Sequence, residues 1–282
     1  MNMQSREVVS KRTKHSSSAA AHNKHLIKQE ENEDIFSNLH NDLITKIISL
    51  IPDVRAAKRM CILSKRWNYI WKILPIFYFV MPFLLYNKQE NEFYEEIDSY
   101  DSSPNKQVKK FNDSVDKALA LRHGKPIQKF FLCLSKDFDC NRVLNWLRII
   151  TRCQVQQLEL RLAANLSHYS VKIYWNILNN CNNLTELTLK GKFVLDVPES
   201  NGMLFPLLKN IYLISIVYSN ENTLGNLISL CPVLEELLVK NVSVEDNHFD
   251  TFKISSVSLK RITILCINNV TNHFVIIDAP NL

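Results

Sequence analysis

Glycine is nearly missing from this chain, with 4 residues in 282 against roughly 7% in average proteins. Gly124, Gly191, Gly202 and Gly225 lie too far apart to build a phosphate-cradling loop. Both the P-loop and the dinucleotide fingerprint need clustered glycines so that backbone can approach phosphate, and nucleotide-dependent chemistry is therefore not expected. The first 25 residues hold no apolar core of a secretory leader. The apolar run Ile73–Tyr86 has 14 residues and contains Pro75 and Pro82. A membrane span needs about 20, so the run is expected inside the protein and no membrane partner is expected. Seven cysteines include no Cys-x-x-Cys pair, and eight histidines include no His-Glu-x-x-His arrangement, so neither a metal nor another cofactor is expected. No Gly-x-Ser-x-Gly elbow is present. The sequence reads as a non-enzyme of a reducing compartment, cytoplasmic or nuclear.

The net charge of +6 is mostly local. Residues 1–28 carry Arg6, Lys11, Arg12, Lys14, Lys24 and Lys28 against Glu7 alone. Residues 1–33 read as a disordered basic tail, rich in Ser and His and without apolar periodicity. Lys11-Arg12-Thr13-Lys14 could serve as a nuclear-import patch. With the rest of the chain nearly neutral, no basic face is expected on a folded domain and no nucleic-acid partner follows.

What is abundant is a returning L-x-x-L-x-L pattern. Its members begin at Ile127, Val155, Leu184, Leu208, Leu234 and Leu259, and Leu282 would open a seventh. The steps of 28, 29, 24, 26, 25 and 23 residues suit leucine-rich repeats. Alternating apolar residues put two side chains on one face of a short strand, and stacked repeats share the core that one strand cannot make alone. Residues 108–282 are expected to form an α/β solenoid with a parallel sheet. Helices are expected to return the chain over 140–152 and 170–180, and another, carrying Val108, Phe111, Val115 and Leu119, to cap the N-terminal edge. Cys153, Cys181 and Cys231 precede repeat starts by two or three residues and are expected in the core. Residues between the leucines form three outward columns. The candidate target-binding face drawn from them is Glu159, Arg161, Glu186, Thr188, Lys190, Tyr212, Ile214, Glu236, Leu238 and Lys240. Its mixed charge and scattered apolar side chains suit a protein partner better than a phosphate backbone.

Residues 34–75 behave differently. Leu43, Ile44, Ile47, Ile48, Leu50 and Ile51 cover more than one helix face, and Pro52 ends that helix. Met60 and Cys61 suit a second helix, and Ser64 caps a third with Trp67, Ile70, Trp71 and Leu74. Apolar residues remain after a three-helix core is filled, so a partner is needed to cover them. That partner could be another protein or the solenoid itself.

Asp42-Leu43-Ile44, Ile47-Ile48-Ser49 and above all Leu63-Ser64-Lys65-Arg66-Trp67 resemble an F-box. Leu195-Asp196-Val197-Pro198, Cys231-Pro232-Val233-Leu234-Glu235-Glu236-Leu237 and Ala279-Pro280-Asn281-Leu282 extend the resemblance to plant F-box/leucine-rich-repeat proteins of the FBD-associated kind. The resemblance implies an α+β chain: a three-helix F-box over 34–75, a connecting segment with an acidic loop over 76–107, and the solenoid over 108–282, ending within a repeat. It implies the substrate receptor of a cullin-based ubiquitin ligase, whose F-box binds a Skp-type adaptor and whose repeats present a target protein. Carried over by position, the adaptor face is Leu39, Leu43, Ile44, Ile47, Leu50, Pro52, Leu63 and Trp67. Two departures stand out: Leu39-His40 replaces the usual Leu-Pro, and the spacing from Pro52 to Leu63 is one residue longer. The alternative is a repeat module with a degenerate F-box and no ligase role. The family normally continues beyond the position of Leu282, so the chain is expected to be short at its C-terminus.

Overall fold

Strands that are apolar at alternate positions bury one face only when neighbours stack against them, and the chain satisfies this requirement turn after turn. The computed structural model describes residues 38–49, 75–95, 104–122, 124–136, 138–163, 170–174, 177–178, 181–199, 204–244, 251–267 and 274–282. The basic tail and the second and third helices expected before residue 75 lie outside these residues. The described elements begin with helix α1 (Asn41–Ser49), strand β1 (Ile76–Val80), and the strands β2 (Leu84–Asn87) and β3 (Glu92–Glu95). Helix α2 (Pro104–Ala120), β4 (Lys129–Leu134), α3 (Cys140–Arg152), β5 (Gln157–Leu162), β6 (Val171–Tyr174), β7 (Glu186–Lys190) and β8 (Phe193–Asp196) follow. The chain continues through β9 (Asn210–Ile214), β10 (Val217–Tyr218), α4 (Thr223–Ser229), β11 (Glu236–Val244), β12 (Thr251–Ser255), β13 (Arg261–Ile267) and β14 (Phe274–Asp278).

The principal ladder runs β1-β4-β5-β7-β9-β11-β13, every pair parallel. Its register matches the repeat arithmetic: Phe130, Leu158, Leu187, Ile211 and Leu237 stand side by side, each 1% exposed or less. Full burial of such a side chain contributes about 1.5–3 kcal/mol, so this ladder is the spine of the core. Cys153, Cys181 and Cys231 are buried in it. Burial pushes the Cys181 and Cys231 thiols up to about 12, which makes them packing groups with no ready thiolate.

A second parallel ladder, β6-β8-β10 and the end of β11, runs alongside. The chain passes from the first ladder to the second at one recurring position: Gly191 (φ 115°), Ser215 (φ 58°) and Asn241 (φ 52°). At Gly191 only glycine fits, because a Cβ there would stand 2.6 Å from the Leu162 Cβ. The same turns are tied across repeats by Gly191 N–H to the Ile214 oxygen (2.8 Å) and Ser215 N–H to the Lys240 oxygen (2.7 Å).

Three expectations change. The sheet starts one strand earlier, at β1, where Phe77 and Phe79 enter the core beside Phe130. Residues 171–174 form strand β6 in place of a helix, because Val171 and Ile173 alternate into the core against Phe193 and Leu195 and β-branched side chains favour the pleat. Helix α2 belongs to the outer layer beside α3: Phe111 meets both Phe79 and Trp146 edge-on, and the Trp146 indole N–H donates to Asp116 at 2.5 Å. Helix α3 itself starts on Asp139, whose side chain accepts the Asn141 and Arg142 amides.

Candidate interaction surfaces

Two surfaces were expected to carry function, an apolar one near the N-terminus and the outward columns of the sheet. On α1 the His40 carbonyl accepts the Leu43 and Ile44 amides at 3.0 and 3.1 Å, and the His40 ring nitrogen Nδ1 takes the Asp42 amide at 3.5 Å. The helix therefore starts at Asn41 without a proline before it. Leu43 and Ile47, one turn apart, are 51% and 36% exposed, whereas Ile44 is fully enclosed. Leu39 is half-buried. Of the expected adaptor face, Leu43 and Ile47 are exposed and Ile44 is buried. Leu50, Pro52, Leu63 and Trp67 lie outside the described residues.

The three columns read from the sequence are the rows of the sheet. The middle one runs Phe131, Glu159, Thr188, Tyr212, Leu238 and Thr263, with Tyr78 of β1 added at its start. Its ends differ in accessibility. Glu159 and Thr188 are buried, Tyr212 and Leu238 are half-buried, and Thr263 is exposed. The neighbouring column shows the same gradient from buried Cys133 and Lys190 to exposed Lys240 and Leu265.

The cause is the hairpin β2–β3, antiparallel from Leu84↔Glu95 to Asn87↔Glu92. Residues 87–95 belong to the segment expected to be an exposed acidic loop; residues 88–91 do form an exposed turn, but they close a hairpin that lies across the N-terminal half of the sheet. Asn91 makes the turn with φ 55° and accepts the Tyr86 hydroxyl through Oδ1 at 2.8 Å. Phe93 is 5% exposed, 4.9 Å from the Tyr86 ring and 6.0 Å from the Phe131 ring. Lys190 Nζ lies 2.7 Å from the Asn91 carbonyl oxygen and 2.7 Å from the Glu92 carboxylate. Arg161 reaches the same carbonyl at 3.1 Å, pairs with Glu159 at 2.6 Å and stacks over Phe131 at 5.4 Å. Glu159 also meets Lys129 at 3.4 Å. Tyr78 stacks on Phe131 at 4.0 Å, and burial pushes its phenol up to about 12. Cys133 is sealed in the same place, and burial pushes its thiol up to about 12.

Glu159, Arg161, Thr188 and Lys190, expected on a target-binding face, are thus occupied by the chain's own hairpin or buried. Tyr212, Ile214, Glu236, Leu238 and Lys240 stay accessible, joined by Arg261, Thr263 and Leu265 of β13. Glu186 is half-buried at the boundary. Burial raises the Tyr212 phenol, helped by the carboxylates of Glu236 and Glu186. The hairpin residues were missed because acidic composition masked their alternation. The available signal was two apolar-aromatic runs, Leu84–Tyr86 and Phe93–Tyr94, flanking a polar Asn-rich turn.

Among the described residues no group of His, Cys, Asp and Glu could hold a metal ion, and no helix is long and apolar enough to cross a membrane. Residues 143–282 match the family described as FBD-associated F-box protein At5g56370, LRR repeats. The chain is 30% identical over 258 residues to the putative FBD-associated F-box protein At5g56390 of Arabidopsis thaliana, covering 88% of this chain and 54% of that protein. It is 29% identical over 255 residues to the F-box/LRR-repeat protein At3g59190 of the same plant, covering 89% and 61%. The chain spans about half the length of the curated relatives it matches. No solved structure matches it.

Proposed function

By its repeat region the chain belongs with the FBD-associated F-box and F-box/LRR-repeat proteins, and we propose that it is the substrate-recognition subunit of a cullin-based (SCF-type) ubiquitin ligase. Residues 34–75 form the F-box and bind a Skp-type adaptor, through it a cullin, and the repeats bind a target protein in the cytoplasm or nucleus. The chain performs no chemistry of its own. Its contribution is to hold the target near a transferring enzyme, which raises the local concentration of acceptor lysines. The observation that carries this reading is the apolar pair Leu43 and Ile47, held outward on a short helix just before the Leu63-Ser64-Lys65-Arg66-Trp67 block. Exposed apolar residues grouped on one helix face ask for a covering partner.

Co-purification with a Skp-type adaptor tests the reading. The wild-type chain should retain adaptor. Leu43→Asp and Ile47→Asp alter exposed side chains, so they should leave the thermal melt unchanged and abolish retention. Failure of the wild type to retain adaptor would leave a repeat module that binds its target without a ligase. The substitution of His40 for the usual proline favours that second reading.

A further inference from the structure

The way the hairpin closes one half of the concave face indicates what the other half can hold. In the column that runs Arg161, Lys190, Ile214, Lys240, Leu265, the first two cations grasp a turn. Lys190 takes one backbone carbonyl and one carboxylate, and Arg161 shares the carbonyl. Lys240 is the third cation of the column. It is exposed and has no ion-pair partner among the described residues. At the other end of the same strands the charges are already matched: Lys209 and Lys260 share the single carboxylate of Glu235, at 3.0 and 3.2 Å, and Arg261 and Glu236 close on each other at 2.6 Å. Beside Lys240 stand Tyr212, Ile214 and Leu238, half-buried, and Leu265, 46% exposed.

We propose that β9, β11 and β13, walled on one side by the hairpin tip, are the target-docking strip, and that they take a peptide segment carrying a carboxylate next to bulky apolar side chains. The carboxylate meets Lys240 as Glu92 meets Lys190, and the apolar side chains lie on Leu238 and Leu265. Charge placed this way sets register and orientation, while the apolar contact supplies most of the affinity. The inference rests on the substrate-recognition reading and names the chemistry of what is recognised.

Random peptides displayed on phage and selected against the full-length chain provide the test. Acidic-plus-apolar sequences should be enriched. One such peptide, synthesised, should bind the wild type and weaken by about tenfold or more with Lys240→Glu and with Leu238→Ser. Replacing its acidic residue by lysine should restore binding to the Lys240→Glu chain. Lys109→Glu, on α2 in the outer layer, should change nothing. Selection of basic or featureless peptides, or binding that survives both strip substitutions, would overturn the assignment. Adaptor retention measured on the same variants keeps the two readings separate. The strip can fail with adaptor still bound, and the adaptor can be lost with peptide binding intact.

Discussion

Replacing Phe93 with alanine asks how firmly the hairpin is seated. Its ring is 5% exposed, within 6.0 Å of Phe131 and 4.9 Å of Tyr86, and Arg161 lies over it at 6.0 Å. Truncating a buried Phe costs about 3–5 kcal/mol. An isolated two-stranded hairpin is marginal in water, so the loss falls on the docking of this hairpin before it falls on the sheet beneath. Even the lower figure of about 3 kcal/mol shifts the closed-to-open ratio by a hundredfold or more. Cys133 reports that shift. Wild-type Cys133 is fully buried, and burial holds its thiol near 12. Once uncovered, the thiol falls back toward its ordinary 9.0, and more thiolate forms. Timed alkylation near pH 8, read peptide by peptide in a mass spectrometer, should show Cys133 labelled about a hundredfold faster in Phe93→Ala. Cys181 and Cys231 should stay protected, and exposed Cys140 should label alike in both proteins. Unchanged labelling of Cys133 would refute the hairpin as its cover. Equal acceleration at Cys181 and Cys231 would mean that the whole sheet opens as one unit.

Two more outcomes follow from the same geometry. Gly191→Ala forces a Cβ to 2.6 Å from Leu162 at φ 115°, and should cost upward of about 2 kcal/mol in a denaturant titration; an unshifted midpoint would mean that the turn adapts. Asp196 accepts from Lys172 (2.9 Å) and Ser219 (3.1 Å), and these partners, Lys172 first, hold its carboxyl below the ordinary 3.8. A lowered folded value means stability that is present above the unfolded value and is lost as pH falls through the folded one. The gap between wild type and Asp196→Asn should therefore be constant near neutrality and shrink below about pH 3.8; a gap that widens in acid would contradict the pairing.

The repeat ladder was legible because stacking leaves no choice of register. A one-residue slip at Leu187 or Ile211 would turn the whole apolar set of that strand to solvent, so the spacing of leucines alone set the rows that Tyr212 and Leu238 occupy. Strand β1 was hidden because Ile76–Val80 sits inside a continuous apolar run, where periodicity cannot separate strand from buried helix. Strand β6 was hidden for a related reason: Val171, Tyr174 and Leu178 fit a helical stripe as well as Val171 and Ile173 fit a pleat. The occlusion of Arg161 and Lys190 was not legible at all. It depends on a contact between residues 91 and 190, and only the fold brings them together. Scarcity of glycine added to the difficulty, since left-handed turns fall on Phe83, Asn91, Gln154, Ser215 and Asn241, of which Phe83 and Gln154 do not announce a turn.

The return paths of the chain differ along its length, and this bears on curvature. The first two turns of the main ladder come back through α2, of 17 residues, and α3, of 13. Later turns return through the short strands of the second ladder, through seven-residue α4, and through β12. Neighbouring helices need about 8–10 Å of width, whereas neighbouring strands need about 4.8 Å. Where helices form the back of the solenoid, the back is wider than the front and the front must close into an arc. Where strands form the back, both sides advance by nearly equal steps and the front runs flatter. The hairpin lies over the end backed by α2 and α3, and the surface left open past Tyr212 is backed by β10, β12 and only the short α4, so on these widths a tighter arc is expected under the hairpin than along the open strip.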